Sequence, residues 1–245
     1  MDEPINPISP TQTLPRELKR RRWYKRWWGI LVMVLGLYLV ALFVILAFFG
    51  PSAEDNISLV GEEAVPDSVL YLNTADDPKW GEPGAPLKIM EFADFQCPYC
   101  RESFPVIREL FAKYPSQIYF IWRDFPDAIN HPEAVKAAIA GNCAEEQGKF
   151  WPFHDKLFIN QENLILSDLK RYAQEVGLNT QTFAKCLESP KYQQEVQEDY
   201  DAGVALGVVG TPTFFINGYK LSGSLPREVF SQIAEMVLSA TSSQP

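Results

Sequence analysis

The sequence predicts a mixed α/β sheet domain with a helical insertion, preceded by a single N-terminal transmembrane helix. Three features predict it. Beyond residue 81 the segments run β-α-β, then a block of helices, then β-β-α. Ahead of them lies one uncharged apolar run, Trp27–Phe49. A Cys97-Pro98-Tyr99-Cys100 motif stands where an apolar strand gives way to a helix.

Residues 1–26 carry seven basic and three acidic side chains, and their first part is Pro-, Ser- and Thr-containing without apolar periodicity. Residues 27–49 follow, 23 residues without a charge. As a helix they would be about 34 Å long, enough for a hydrocarbon core of about 30 Å. Trp23, Trp27 and Trp28 stand where an interfacial aromatic belt would stand, and Gly50-Pro51 stops the helix. A buried core helix would keep a polar stripe, and this run has none. A cleaved signal peptide would have a shorter apolar region followed by small residues, whereas the only candidate site here carries Pro51. An uncleaved signal-anchor fits best. Basic residues precede the span and Glu54, Asp55, Glu62 and Glu63 follow it, so the N-terminus is expected in the cytoplasm and the rest outside. That outer compartment permits disulfides. Residues 50–80, acidic with scattered Pro and Gly, read as an extracytoplasmic linker.

Residues 81–240 read as the packed domain, with a helical insertion at about 130–206. Leu87–Phe92 is an apolar strand. Cys97–Tyr114 is helical, because Phe104, Ile107, Leu110 and Phe111 share one face. Ile118–Trp122 is a β-branched and aromatic strand ending at Arg123-Asp124, a pair that is either near the site or simply solvated. Pro132–Gly141 and the segment from Glu145 to Phe158 read as helices. Ser167 is expected to cap a helix over Asp168–Val176 that stops at Gly177. Thr182–Leu187 and Tyr192–Leu206 are further helices. Thr213–Asn217 and Tyr219–Ser222 form a hairpin about Asn217-Gly218, and Pro226–Leu238 is a last amphipathic helix.

Composition narrows the function. The 245 residues carry a formal charge of −9 and are 47% hydrophobic, which argues against wholesale disorder or a collagen-like chain. The charge is uneven: residues 1–26 sum to +4, and the remainder holds 15 basic against 28 acidic residues, or −13. The basic cluster therefore reads as a topology signal rather than a nucleic-acid patch. Four cysteines are too few for a stapled mini-protein and enough for two pairs.

The Cys97–Cys100 pair is placed where thiol chemistry needs it. A thiolate is the reactive form of cysteine, and the unpaired N–H groups of a helix N-terminus favour it. Pro98 suits the first helical turn, where no N–H is required. Two intervening residues bring the sulfurs within bonding reach. Cys97 is expected to be exposed to attacking thiolates, with Cys100 shielded one turn in. The competing readings are half of a zinc site and an inert short-loop disulfide. No second C-x-x-C and no His within four residues of Cys143 or Cys186 supports the zinc site, so no metal is expected. Gly210-Thr211-Pro212-Thr213 precedes the Phe214-Phe215-Ile216 strand. Pro212 either opens that strand as an ordinary trans residue or forms a cis bond beside the sulfurs, leaving the Thr211 backbone to pair with an extended substrate. His131 and His154 read as surface or capping residues.

Taken together, EFADFQCPYCR, AAIAGNCAEEQGKFWPFHDKLF and GVVGTPTFFING, in that order, resemble the DsbA-like, thioredoxin-fold thiol–disulfide oxidoreductases over roughly residues 75–240. The resemblance implies that Cys97 is the nucleophile, Cys100 its partner, and Pro212 a cis-proline preceded by Thr211, with Pro98 and Tyr99 supporting the site. Glu91 falls at the position of the family's buried acid. Such a carboxyl would have a raised pKa and could relay protons to Cys100, although an edge-facing strand residue is the alternative. Pro-Tyr replaces the Pro-His found between the cysteines of the family's best-known oxidase, which leaves the oxidising strength open. Cys143 and Cys186 are expected to form a structural disulfide worth about 4 kcal/mol. Two separate buried thiols or a second redox pair are the alternatives.

The implied function is oxidation of cysteine pairs in exported proteins by a domain tethered to the bacterial inner membrane. The N-terminus would be cytoplasmic and the catalytic domain periplasmic. The redox-active disulfide would need no soluble cofactor and would be re-oxidised by a quinone-linked membrane oxidase. No nucleic-acid partner is expected. A reductase or isomerase fed by a membrane reductant, and a non-enzymatic tethered chaperone, are the rival readings.

Overall fold

The computed structural model describes residues 27–42, 64–71 and 75–242, and the chain divides into two units at Ser58. In the first unit, residues 27–42 form helix α1 with exposed side chains, and residues 43–49 of the expected span lie outside the described residues. Among the described residues no helix is long and apolar enough to cross a membrane.

The second unit is built on a five-stranded sheet of order β1-β3-β2-β4-β5. The strands are β1 (Lys79–Gly81), β2 (Leu87–Ala93), β3 (Ile118–Asp124), β4 (Thr213–Ile216) and β5 (Tyr219–Ser222). β2 and β3 run parallel, with Leu87 opposite Ile118 and Glu91 opposite Trp122. They are joined by the crossover helix α3 (Pro98–Lys113). The other pairings are antiparallel. β2 and β3 are therefore central, and buried along most of their length, which explains their near-continuous apolar sequences.

The two faces of the sheet differ. Leu87, Ile89 and Ala93 belong to the larger core, shared with Ile107 and Phe111 of α3 and with the helical insertion. Met90 and Phe92 point the other way, into a smaller cluster with Ile121, Phe215 and Leu70. Strand alternation puts Glu91 on the face of the larger core. The insertion comprises α4 (Ala134–Glu145), α5 (Phe150–Ile159), α6 (Leu166–Glu175), α7 (Thr180–Glu188) and α8 (Gln193–Ala205), and the C-terminal helix spans Arg227–Ser242.

Asn217 and Gly218 both adopt positive φ, 47° and 89°, as a two-residue hairpin turn requires. Two local expectations are corrected. Ser167 does not cap α6: the N-cap is Ile165, without a side-chain hydrogen bond, and Ser167 lies inside the helix. α7 does have a side-chain cap, with the Thr182 N–H donating to Asn179 Oδ1 at 2.9 Å. The expected linker contributes to the sheet domain, because β1 begins at Lys79 and the short helix α2 (Asp67–Leu70) buries Leu70 completely. The Val65 N–H also donates to the Gly218 carbonyl at 2.9 Å.

Arg123 and Asp124 are not solvated. Arg123 is buried with Asp199 of α8, Nη2 to Oδ1 at 2.5 Å, and with Asp77, Nε to Oδ2 at 3.3 Å. Asp124 accepts from Trp122 Nε1 and Asn142 Nδ2, each at 2.9 Å. Charges this deep persist only when paired and hydrogen-bonded. His154 is likewise buried rather than superficial. It packs edge-on to Trp122 and Phe158 inside the aromatic core, and burial pushes its pKa down.

Candidate active site

β2 leaves the sheet at Ala93, and Asp94 turns the chain. Its Oδ1 accepts the Gln96 N–H at 2.7 Å and its carbonyl accepts the Cys97 N–H at 3.1 Å. Cys97 is then the N-cap of α3 in an extended conformation, and its carbonyl accepts the Arg101 N–H at 3.2 Å. Pro98 is the first helical residue, where the missing N–H costs nothing. The N–H groups of Tyr99 and Cys100 have no intrahelical acceptor at this end and favour a negative sulfur.

Both Cys97 and Cys100 are free thiols, and their environments push them in opposite directions. A hydrogen bond from the Cys100 side chain, with further ones from the Thr211 side chain and the Cys100 and Tyr99 backbone, holds Cys97 down at about 6 against the opposing effect of burial. Burial pushes Cys100 well above its ordinary value, and its contest with Cys97 and the nearby Glu91 adds to this. Glu91 is buried in the central strand rather than edge-facing, and desolvation followed by the Cys97 charge raises it to about 8. Glu91 therefore stays protonated at neutral pH and can exchange a proton as the sulfurs change state.

The Thr211-Pro212 peptide bond is cis. It brings the Thr211 carbonyl to 3.2 Å from Cys97 Sγ, with the thiol donating. Pro212 is buried and Thr211 is half-buried. Contact with this loop changes one expectation: Cys97 is only 4% exposed. Its access is directional, through a cleft of about 710 Å³. The cleft is lined by the 125–131 loop, by Val196 and Tyr200 of α8, and by Val209 and Thr211. Tyr99 and Pro98 lie exposed beside it.

The structure thus gathers Glu91, Cys97, Pro98, Tyr99, Cys100, Thr211 and Pro212 in one region. Cys143 and Cys186 are elsewhere, joined to each other between α4 and α7. Sequence reasoning missed three neighbours of Cys97. Gln161 Nε2 donates to the carbonyls of both Phe95 and Cys97 at 2.8 Å and so fixes the backbone of the motif. Asp94, whose side chain is fully buried, pairs with His131 Nδ1 at 2.6 Å. His131 lines the same cleft as Cys97. Asp94 was legible as a carboxylate trapped between an apolar strand and a helix start, whereas His131 and Gln161 arrive from distant loops.

A family model described as Thioredoxin matches residues 73–235. The alpha-DsbA1 protein of Wolbachia pipientis superimposes with a TM-score of 0.62 at 25% identity, covering 71% of this chain and 97% of that one. A thioredoxin-like oxidoreductase from Silicibacter pomeroyi superimposes with a TM-score of 0.63 at 24% identity, covering 71% and 99%. Among curated relatives, the Na(+)/H(+) antiporter NhaA 3 of Salinispora tropica is 36% identical over 205 residues, covering 83% of this chain and 31% of that protein. The chain thus spans about a third of the length of the curated relatives it matches first.

Proposed function

The chain belongs to the thioredoxin family over residues 73–235, and from that footing we propose that it is a membrane-tethered thiol–disulfide oxidoreductase that oxidises cysteine pairs in exported proteins. The observation that carries this reading is the asymmetry of the two sulfurs. Cys97 is held near 6 at a helix N-terminus facing a cleft, and Cys100 is pushed up behind it.

In the oxidised protein, a substrate thiolate bonds to Cys97 Sγ and breaks the Cys97–Cys100 bond. Cys100 leaves as a thiolate and takes a proton, for which the neutral Glu91 carboxyl is the nearby source. A second substrate thiolate then bonds to the first substrate sulfur and expels Cys97 as a thiolate. The substrate loses two electrons and becomes a disulfide, and the Cys97–Cys100 pair gains them. A leaving thiolate held near 6 favours this direction over reduction of substrate. The Thr211 backbone, beside Cys97 Sγ at the cleft, supports docking of an extended segment there.

The basic cluster ahead of the uncharged run supports an inner-membrane anchor with the domain on the periplasmic side. A tether there keeps the pair close to a quinone-linked membrane oxidase that would restore the disulfide. The test is trapping of mixed disulfides in cells. Cys100→Ala, quenched with acid and blocked at free thiols, is expected to hold exported proteins on Cys97. A correctly folded variant that holds none would refute the exchange mechanism.

A further inference from the structure

The motif between the reactive cysteines supplies no charge, since Pro98 and Tyr99 are both neutral. A basic side chain does stand in the cleft. His131 lines it together with Cys97 and is only partly exposed. Its Nδ1 sits 2.6 Å from Asp94 Oδ2. That oxygen also accepts the Asp127 N–H at 2.9 Å, while the Asp94 carbonyl accepts the Cys97 N–H at 3.1 Å. Asp94 is therefore built into both the loop that carries His131 and the turn that carries Cys97. A buried carboxylate in that position fixes the ring and favours its protonated form.

We propose that His131, anchored by Asp94, is a positioning residue that supplies the positive charge opposite the Cys97 thiolate and strengthens the pair as an oxidant. This rests on the thiol–disulfide exchange reading. The balance is that of the exchange itself. The substrate dithiol gives two electrons to the Cys97–Cys100 bond, Cys100 takes a proton, and Cys97 is left as the thiolate that faces the imidazolium. The charge stabilises only the reduced form, because the disulfide is neutral, and so the equilibrium shifts toward oxidised substrate.

The neighbouring groups agree with this assignment. Burial opposes the charged ring, but the hydrogen bond and charge of Asp94, joined by Cys97 and Asp127, together outweigh it and raise the His131 pKa. Asp127 also faces the loop, but its carboxylate is engaged by Asn130 Nδ2 at 2.6 Å. The residues that α8 turns toward the cleft, Gln193, Val196, Gln197 and Tyr200, carry no charge at neutral pH, nor do Val209, Gly210 and Thr211. No lysine or arginine lines the cleft, so His131 is the cation there among the described residues.

The experiment is the redox equilibrium of the pair against glutathione, measured on the full chain from pH 5 to 8. The variants are His131→Gln, which removes the charge, and His131→Lys, which keeps one. His131→Gln is expected to shift the equilibrium constant about tenfold toward the Cys97–Cys100 disulfide at pH 6, with the gap narrowing as rising pH deprotonates the native imidazolium. His131→Lys is expected to recover most of the shift. Wild-type and His131→Gln constants that agree across the range would overturn the proposal while leaving the exchange reading intact. A folded wild type that does not exchange with glutathione at all would overturn both.

Discussion

The two cysteine pairs of this domain are almost equally buried, yet one is bonded and the other is free. Cys143 and Cys186 are 0% and 8% exposed, and Cys97 and Cys100 are 4% and 1% exposed. Burial therefore does not separate them. Backbone geometry does. Cys143 lies in the last turn of α4 and Cys186 in the last turn of α7, where helical N–H groups are already paired with helical carbonyls. Around them are apolar side chains that cannot stabilise a thiolate, which favours the bonded form over two free thiolates. Cys97 sits at the one place on its helix where N–H groups are unpaired, and its sulfur opens onto a cleft. One pair is thus bonded across two helices, and the other stands free at a helix start within the same core.

The largest effects come from removing the sulfurs of each pair in turn. Cys97→Ser is expected to lower thiol exchange with a dithiol peptide by about a thousandfold or more, since an alcohol does not replace a thiolate nucleophile. The double substitution Cys143→Ala and Cys186→Ala is expected to leave the exchange rate within a few-fold at 25 °C. Stability is expected to respond in the opposite sense. The disulfide links residues 43 apart, so the double variant is expected to lose about 4 kcal/mol in urea unfolding. Exchange that falls with the double variant in a still-folded protein would instead make Cys143–Cys186 a second redox pair.

A smaller effect sharpens the role of the reactive site. Glu91 has its folded pKa raised to about 8 by burial, above an unfolded value of 4.5. Its neutral form is favoured in the folded state, so the protein loses stability as pH rises from 4.5 toward 8 and levels off above that. Glu91→Gln is expected to remove this slope and to stabilise the protein at pH 8 by a few kcal/mol, while slowing exchange through loss of the proton source. A pH–stability profile that keeps its slope in the variant would show that another carboxyl, such as the buried Asp77 or Asp199, is responsible.

What the sequence disclosed follows from the range of each interaction. β2, α3, β3 and the Asn217-Gly218 hairpin were legible because periodicity and turn chemistry are local. The Cys97 motif and Pro212 were legible because each carries its chemistry in a few adjacent residues. The exposure of Cys97 was misjudged because the loop that covers it lies more than a hundred positions away, at Thr211. Arg123 looked solvated for the same reason: Asp199 is 76 residues distant and Asp77 comes from a segment that reads as linker. His131 offered only an ordinary His-Pro pair in the sequence, and its meaning depends on Asp94, 37 residues earlier. The strand Lys79–Gly81 is too short to leave a pattern and exists by pairing with β3.

The central claim is that one sulfur of the free pair is an accessible thiolate and the other is not. The direct test is alkylation of the reduced protein with iodoacetamide from pH 4 to 10, followed by peptide mapping of both sites. The account predicts that Cys97 is modified with a half-point near pH 6 and that Cys100 is spared throughout the neutral range. Equal labelling of the two, or a Cys97 half-point close to that of an ordinary thiol, would contradict it.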